Sequence, residues 1–148
     1  MDSSYPLPTK FHDPNHPLRA VTGLLVVASG GAVGAALRYL TTGWIQDLTG
    51  SLFPWGTMAV NVIGSFLLGF SVAWLNSTLA SPETRQLVTI GFLGSFTTFS
   101  TFSYETVAML EDGEFWQAGF YSLGSFLLGL LAVMAGAFLA ANLLHSRS

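Results

Sequence analysis

Cysteine is absent from this 148-residue chain, which excludes disulfide frameworks, thiolate chemistry and cysteine-based zinc sites. Charge is scarce too: Asp, Glu, Lys and Arg make up 9% of the residues, against about 25% in an average soluble domain. Five Lys and Arg against eight Asp and Glu give a formal charge of -3 without a basic patch, which argues against a nucleic-acid partner. No nucleophile elbow, zincin helix or phosphate loop occurs, so the chain does not read as an enzyme.

What is present is apolar surface, with 51% of residues hydrophobic and 14% aromatic. No Asp, Glu, Lys or Arg occurs from Ala20 to Leu37, Leu48 to Pro82, Gln86 to Tyr104 or Phe115 to Ser146. A helix rising about 1.5 Å per residue needs about 20 residues to cross a hydrocarbon core of about 30 Å. The pattern predicts an all-α integral membrane protein whose 20–144 domain holds four spans, near 20–40, 55–75, 87–110 and 115–144. Short connectors punctuated by Asp47, Gly50, Pro54, Pro82 and Gly113 make neighbouring spans antiparallel.

Residues 1–19 read as a flexible polar tail, since Pro6, Pro8, Pro14 and Pro17 stand among His12, His16, Lys10 and Asp13. Residues 145–148 read as a short C-terminal tail. Arg19 and the apolar run behind it could suggest a secretory signal cleaved near Ala28. The helical pattern, however, continues through Gly34 and Ala35 to Tyr39.

Inside a bilayer the polar residues are the informative ones, because each is expensive to place there. In the first span Gly30 and Gly34 form a small-xxx-small pair suited to close helix packing, and Arg38 either snorkels or binds an anion or Glu105. In the second, Thr57, Asn61, Ser65 and Gly69 recur every four residues and share one face. The third has Gly91, Gly94 and Ser95 followed by Thr97 through Ser103, with Glu105 just beyond. Paired glycines and threonines weaken the backbone ladder, which predicts a helix broken near its middle, with freed carbonyls turned away from lipid. Phe99 and Phe102 can project to one side, offering the positive edges of their rings. Tyr121, Ser125 and Gly129 make a further strip on the fourth span. No span carries an acid near its middle, so hydroxyls, one amide and ring edges together suit an anion.

Three segments carry a resemblance: Gly30, Gly31, Gly34, Ala35, Arg38 and Tyr39; Asn61, Gly64, Phe66 and Gly69; and Gly91, Gly94, Thr97 through Ser103 and Glu105. In order and placement they resemble the signature of the Fluc (CrcB-like) fluoride channels, small membrane proteins that export fluoride from microbial cytoplasm. The resemblance implies an antiparallel homodimer in the inner (plasma) membrane, with two fluoride pores along the subunit interface and a structural sodium ion at the dimer axis. Under it Asn61 corresponds to a pore amide, Phe99 and Phe102 to a facing ring-edge pair, Ser100 and Thr101 to a polar track, and Tyr121 and Ser125 to further donors. Gly94 and Thr97 correspond to the positions whose backbone carbonyls hold sodium. Gly129 stands where another hydroxyl would extend the strip, and the proline-rich tail has no counterpart in the motif. The alternative is a small proton-coupled multidrug-type exporter, which needs a membrane-embedded carboxylate; Glu105 is the nearest candidate, toward the end of its span.

Overall fold

A computed structural model describes residues 17–146. The expected polar tail therefore lies outside the described residues, except that Pro17 to Arg19 are already helical backbone. The described chain is all-helical: α1 (Pro17–Thr49), α2 (Trp55–Ser77), α3 (Pro82–Arg85), a π-helix (Gln86–Leu93), α4 (Gly94–Phe96), α5 (Phe99–Glu111) and α6 (Phe115–His145).

Three helices are long and apolar enough to cross a membrane, over 20–49, 55–77 and 115–145. The third expected span is not one of these, because residues 82–111 form a chain of four helical pieces. The α1 helix also outlasts its expected end at Leu40 and runs to Thr49. Its 41–49 stretch contains no proline, and the stop comes where Gly50 takes a positive φ of 56° while its N–H bonds the Gln46 carbonyl. At the other end Pro17 occupies the first turn, where its missing N–H costs nothing.

Small residues let the helix backbones touch. A Cβ on Gly69 would run into the Val133 carbonyl, and one on Gly136 into the Phe66 carbonyl, so α2 and α6 are locked by a reciprocal glycine contact. The expected Gly30–Gly34 pair packs α1 against the π-helix, where a Cβ on Gly34 would meet the Phe92 carbonyl. Gly91 returns the approach, with the Val27 carbonyl 2.7 Å from where its Cβ would be. Without a hydrophobic driving force between helices in lipid, such backbone approaches carry much of the packing.

The interior is small. Met58, Met109, Ala118 and Tyr121 form a buried cluster with Phe53 and Phe102 against it. Many large apolar side chains face outward, among them Leu24, Leu25, Val33, Phe126 and Leu131, as a lipid-facing surface requires. Arg85 closes the turn after α2, donating to the carbonyls of Leu75 and Ala80 and to Asn76 Oδ1. That turn holds Leu79 at φ 51° with its side chain exposed.

Candidate functional site

The third segment breaks at Thr97 and Thr98, whose ψ angles of 158° and 113° are extended. Gly91 and Gly94, expected to weaken the ladder, are both helical, and the break falls on the threonines that follow them. In an unbroken α-helix the Thr98 N–H would bond the Gly94 carbonyl. Here it donates to Asn61 Oδ1 at 2.8 Å, and Asn61 Nδ2 donates back to the Thr98 carbonyl at 3.1 Å. One side-chain amide on α2 thus stands in for a missing peptide neighbour and satisfies two groups that would otherwise cost free energy in lipid.

Beyond the break α5 is capped by Thr98. Its Oγ1 accepts the Thr101 N–H at 3.3 Å and donates to Thr101 Oγ1 at 2.9 Å. The Thr97 carbonyl accepts a long bond of 3.4 Å from Arg38 Nη1. Arg38 therefore reaches the break rather than Glu105.

Glu105 lies in the middle of α5, and it faces inward rather than sitting near a span end. Thr57 Oγ1 donates to its Oε1 at 2.8 Å, and Tyr121 OH donates to its Oε2 at 2.6 Å. Thr57 and Tyr121 are 1% and 0% exposed, so the carboxylate is held by two buried donors. Tyr121 is also flanked by Phe102 at 5.2 Å between ring centroids and by Phe53, edge-on, at 5.6 Å.

Two cavities flank the break. The first, about 370 Å³, takes Asn61, Gly94, Thr97, Phe99, Phe102 and Ser125. Ser125 Oγ is buried there without a hydrogen-bond partner among the described residues. The rings of Phe99 and Phe102 lie 5.8 Å apart, tilted by 40°, and Phe99 is 80% exposed. The second cavity, about 710 Å³, takes Arg38, Gln46, Asp47, Thr57, Thr98 and Thr101.

Six of the nine expected residues are thus brought to one cavity. Thr101 faces the other, Ser100 is exposed with its Oγ 3.5 Å from Thr98 Oγ1, and Tyr121 lines neither because its hydroxyl serves Glu105. Thr98 and Thr57 are site residues that the expected set lacks. Thr57 had a signal, four residues before Asn61 on the polar face; the signal for Thr98 was its place three residues before Thr101, where an N-cap belongs. The strip from Tyr121 continues to Gly129, where an added Cβ would meet Ser65 Oγ at an ordinary 3.6 Å.

The profile of a family described as CrcB-like protein, Camphor Resistance (CrcB), matches residues 25–137. The chain is 53% identical to the fluoride-specific ion channel FluC of Geobacter sulfurreducens over 124 residues, covering 83% of this chain and all of that one. It is 47% identical to the protein of the same name from Hahella chejuensis, over 79% of this chain and 93% of that one. For the Thermus thermophilus protein of that name the identity is 46%, over 76% and 88%.

Proposed function

The chain belongs to the CrcB-like family, and from that membership we propose that it is a fluoride-specific ion channel, conducting rather than catalysing. The observation that carries the reading is Ser125. A buried hydroxyl without a partner faces a cavity that also receives an amide and two phenyl rings. Leaving a buried donor unpaired costs about 1–3 kcal/mol, so an acceptor that passes through is favoured there. Fluoride is the smallest halide and holds its water most strongly; a path for it needs closely spaced donors in place of that water. Ser125, Thr101 and the free N–H of Asn61, with the ring edges of Phe99 and Phe102, supply weak, multiple sites, as conduction requires. Ser100 extends the track if a second subunit covers its exposed face.

The channel is an antiparallel homodimer with its pores at the subunit interface, in the inner (plasma) membrane, exporting cytoplasmic fluoride passively. Support comes from Phe99, whose exposed ring would otherwise leave the donor cavity open to lipid. Two copies also explain the break chemically. The Gly94 carbonyl loses its ladder amide to Asn61, and the Thr97 carbonyl is already turned toward a cationic guanidinium. Two subunits would bring four such oxygens to a two-fold axis, a donor set that suits sodium. Among the described residues no cluster of His, Asp and Glu offers a site for a multivalent metal. When bound, the ion supplies fixed positive charge between the two pores; Gly94 and Thr97 hold it through their backbone.

A proton-coupled exporter needs a carboxylate free to exchange protons with its cargo. Glu105 has both oxygens engaged by Thr57 and Tyr121, which supports conduction instead. The test is efflux from fluoride-loaded liposomes followed with a fluoride electrode. Fluoride leaves without a pH gradient while chloride stays; absent efflux, or efflux that needs the gradient, would overturn the reading.

A further inference from the structure

Among the described residues Thr98 alone borders both cavities. It is 7% exposed, and both of its backbone groups are held by the Asn61 amide. That leaves the hydroxyl, which faces Thr101 twice over. Its oxygen accepts the Thr101 N–H at 3.3 Å, and its proton goes to Thr101 Oγ1 at 2.9 Å rather than to Ser100 Oγ at 3.5 Å.

A hydroxyl carries one proton. When Thr101 Oγ1 accepts from Thr98, the proton of Thr101 itself stays available for a partner outside the pair, and Thr101 is exposed to the cavity that holds Arg38. The reverse direction would spend that proton inside the pair and present only lone pairs to the cavity, which an anion would avoid. We infer that Thr98 is a positioning residue that holds Thr101 as an outward-facing donor, so that a permeating anion meets a two-hydroxyl chain polarised toward it. This inference rests on the fluoride-conducting reading. Bonds in series strengthen one another when all point the same way, so an anion at Thr101 reinforces the direction Thr98 imposes. The arrangement gives Thr98 a duty beyond capping α5. The cap uses only its oxygen, whereas the donor direction uses its proton.

The two duties separate in a double-mutant cycle on full-length protein in liposomes. A hydrogen bond to a charged group is a strong one, so Thr98→Val and Thr101→Val each lower fluoride efflux about tenfold or more. Because Thr98 acts through the Thr101 hydroxyl, the double variant falls no further than the worse single one. Thr98→Ser, which keeps both oxygen and proton, recovers most of the lost rate. Independent, multiplying losses would reduce Thr98 to a helix cap and overturn the inference, as would wild-type efflux from Thr98→Val. If Thr98→Val fails to assemble by size exclusion, Thr101→Val decides alone, and wild-type efflux there overturns the inference as well. A wild-type protein that passes no fluoride would instead overturn the channel reading, and the inference with it.

Discussion

Asn61 and Thr98 pair as two peptide groups would, the amide oxygen of Asn61 accepting the Thr98 N–H at 2.8 Å and the amide nitrogen donating to the Thr98 carbonyl at 3.1 Å. The pairing fixes which way the amide faces, so its second N–H is the only donor left to serve a permeating ion. On the proposed pathway structure and conduction therefore meet in one side chain, and substitutions there must be read for both.

Asn61→Asp keeps the size and the acceptor for the Thr98 N–H, but it sets a carboxylate against the Thr98 carbonyl and removes every donor. Repulsion in a poorly solvated site amounts to several kcal/mol, so fluoride efflux is expected to fall more than about a hundredfold. Unfolding in detergent should also shift to lower temperature. Near-normal efflux from an assembled protein would remove Asn61 from the path.

Phe99→Ile and Phe102→Ile separate packing from permeation. Phe99 is mostly exposed on the single subunit, so its replacement should change the subunit's own stability by less than about 0.5 kcal/mol, apart from its effect on dimer yield, whereas Phe102 packs on Tyr121 and should cost about 1–1.5 kcal/mol. Both should abolish or strongly reduce efflux, because isoleucine keeps apolar volume but has no polarised edge. Unchanged efflux alongside the expected stability changes would show that the rings only pack.

Gly94→Val addresses the cation. Among the described residues a Cβ at this position meets only the Thr89 carbonyl, at 3.6 Å, and the backbone is ordinary helix with φ -63°, so the subunit should fold as before. The added methyls instead crowd the proposed two-fold axis, and both dimer yield and fluoride efflux should drop. Crystals of wild-type protein soaked in thallium should give an anomalous peak on the axis. A conducting dimer without one would remove the ion from the scheme.

Topology is checked by Ser148→Cys, the only thiol in the resulting chain. With both termini on one side, Lys10, Arg19, Arg85 and Arg147 oppose Arg38 alone, a bias that ordinarily fixes orientation. An antiparallel homodimer nevertheless expects labelling by an impermeant maleimide from each face of the membrane. Labelling from one face only would point to pairing with an oppositely oriented partner subunit.

The long uncharged runs made the helices legible, and the threonine-rich stretch made the break legible, because both depend on local chemistry. The partners of the polar groups depend on which faces meet, and spacing alone does not give that. Tyr121 reads as a pore donor from its place four residues before Ser125, yet its hydroxyl is taken by Glu105 across the α5–α6 contact. Glu105 reads as peripheral when the third span is counted as one helix; the break restarts the count at Phe99 and places it mid-helix. Thr98 is hard to single out among six neighbouring hydroxyls until Asn61 is seen to hold it.

The π-helix over Gln86–Leu93 bears on how the chain can change length. Each of its rings encloses one residue more than an α-helical ring, so it stores slack between the Arg85 clasp and the break. Losing one residue there can be absorbed by returning the ladder to α-helical pairing, with Thr98 still opposite Asn61. The same loss between Gly94 and Thr98 has no such reserve, since Thr97 and Thr98 are held there by Arg38 of α1 and Asn61 of α2. Single-residue deletions are thus tolerable in the π-helical stretch and not in the few residues that follow it.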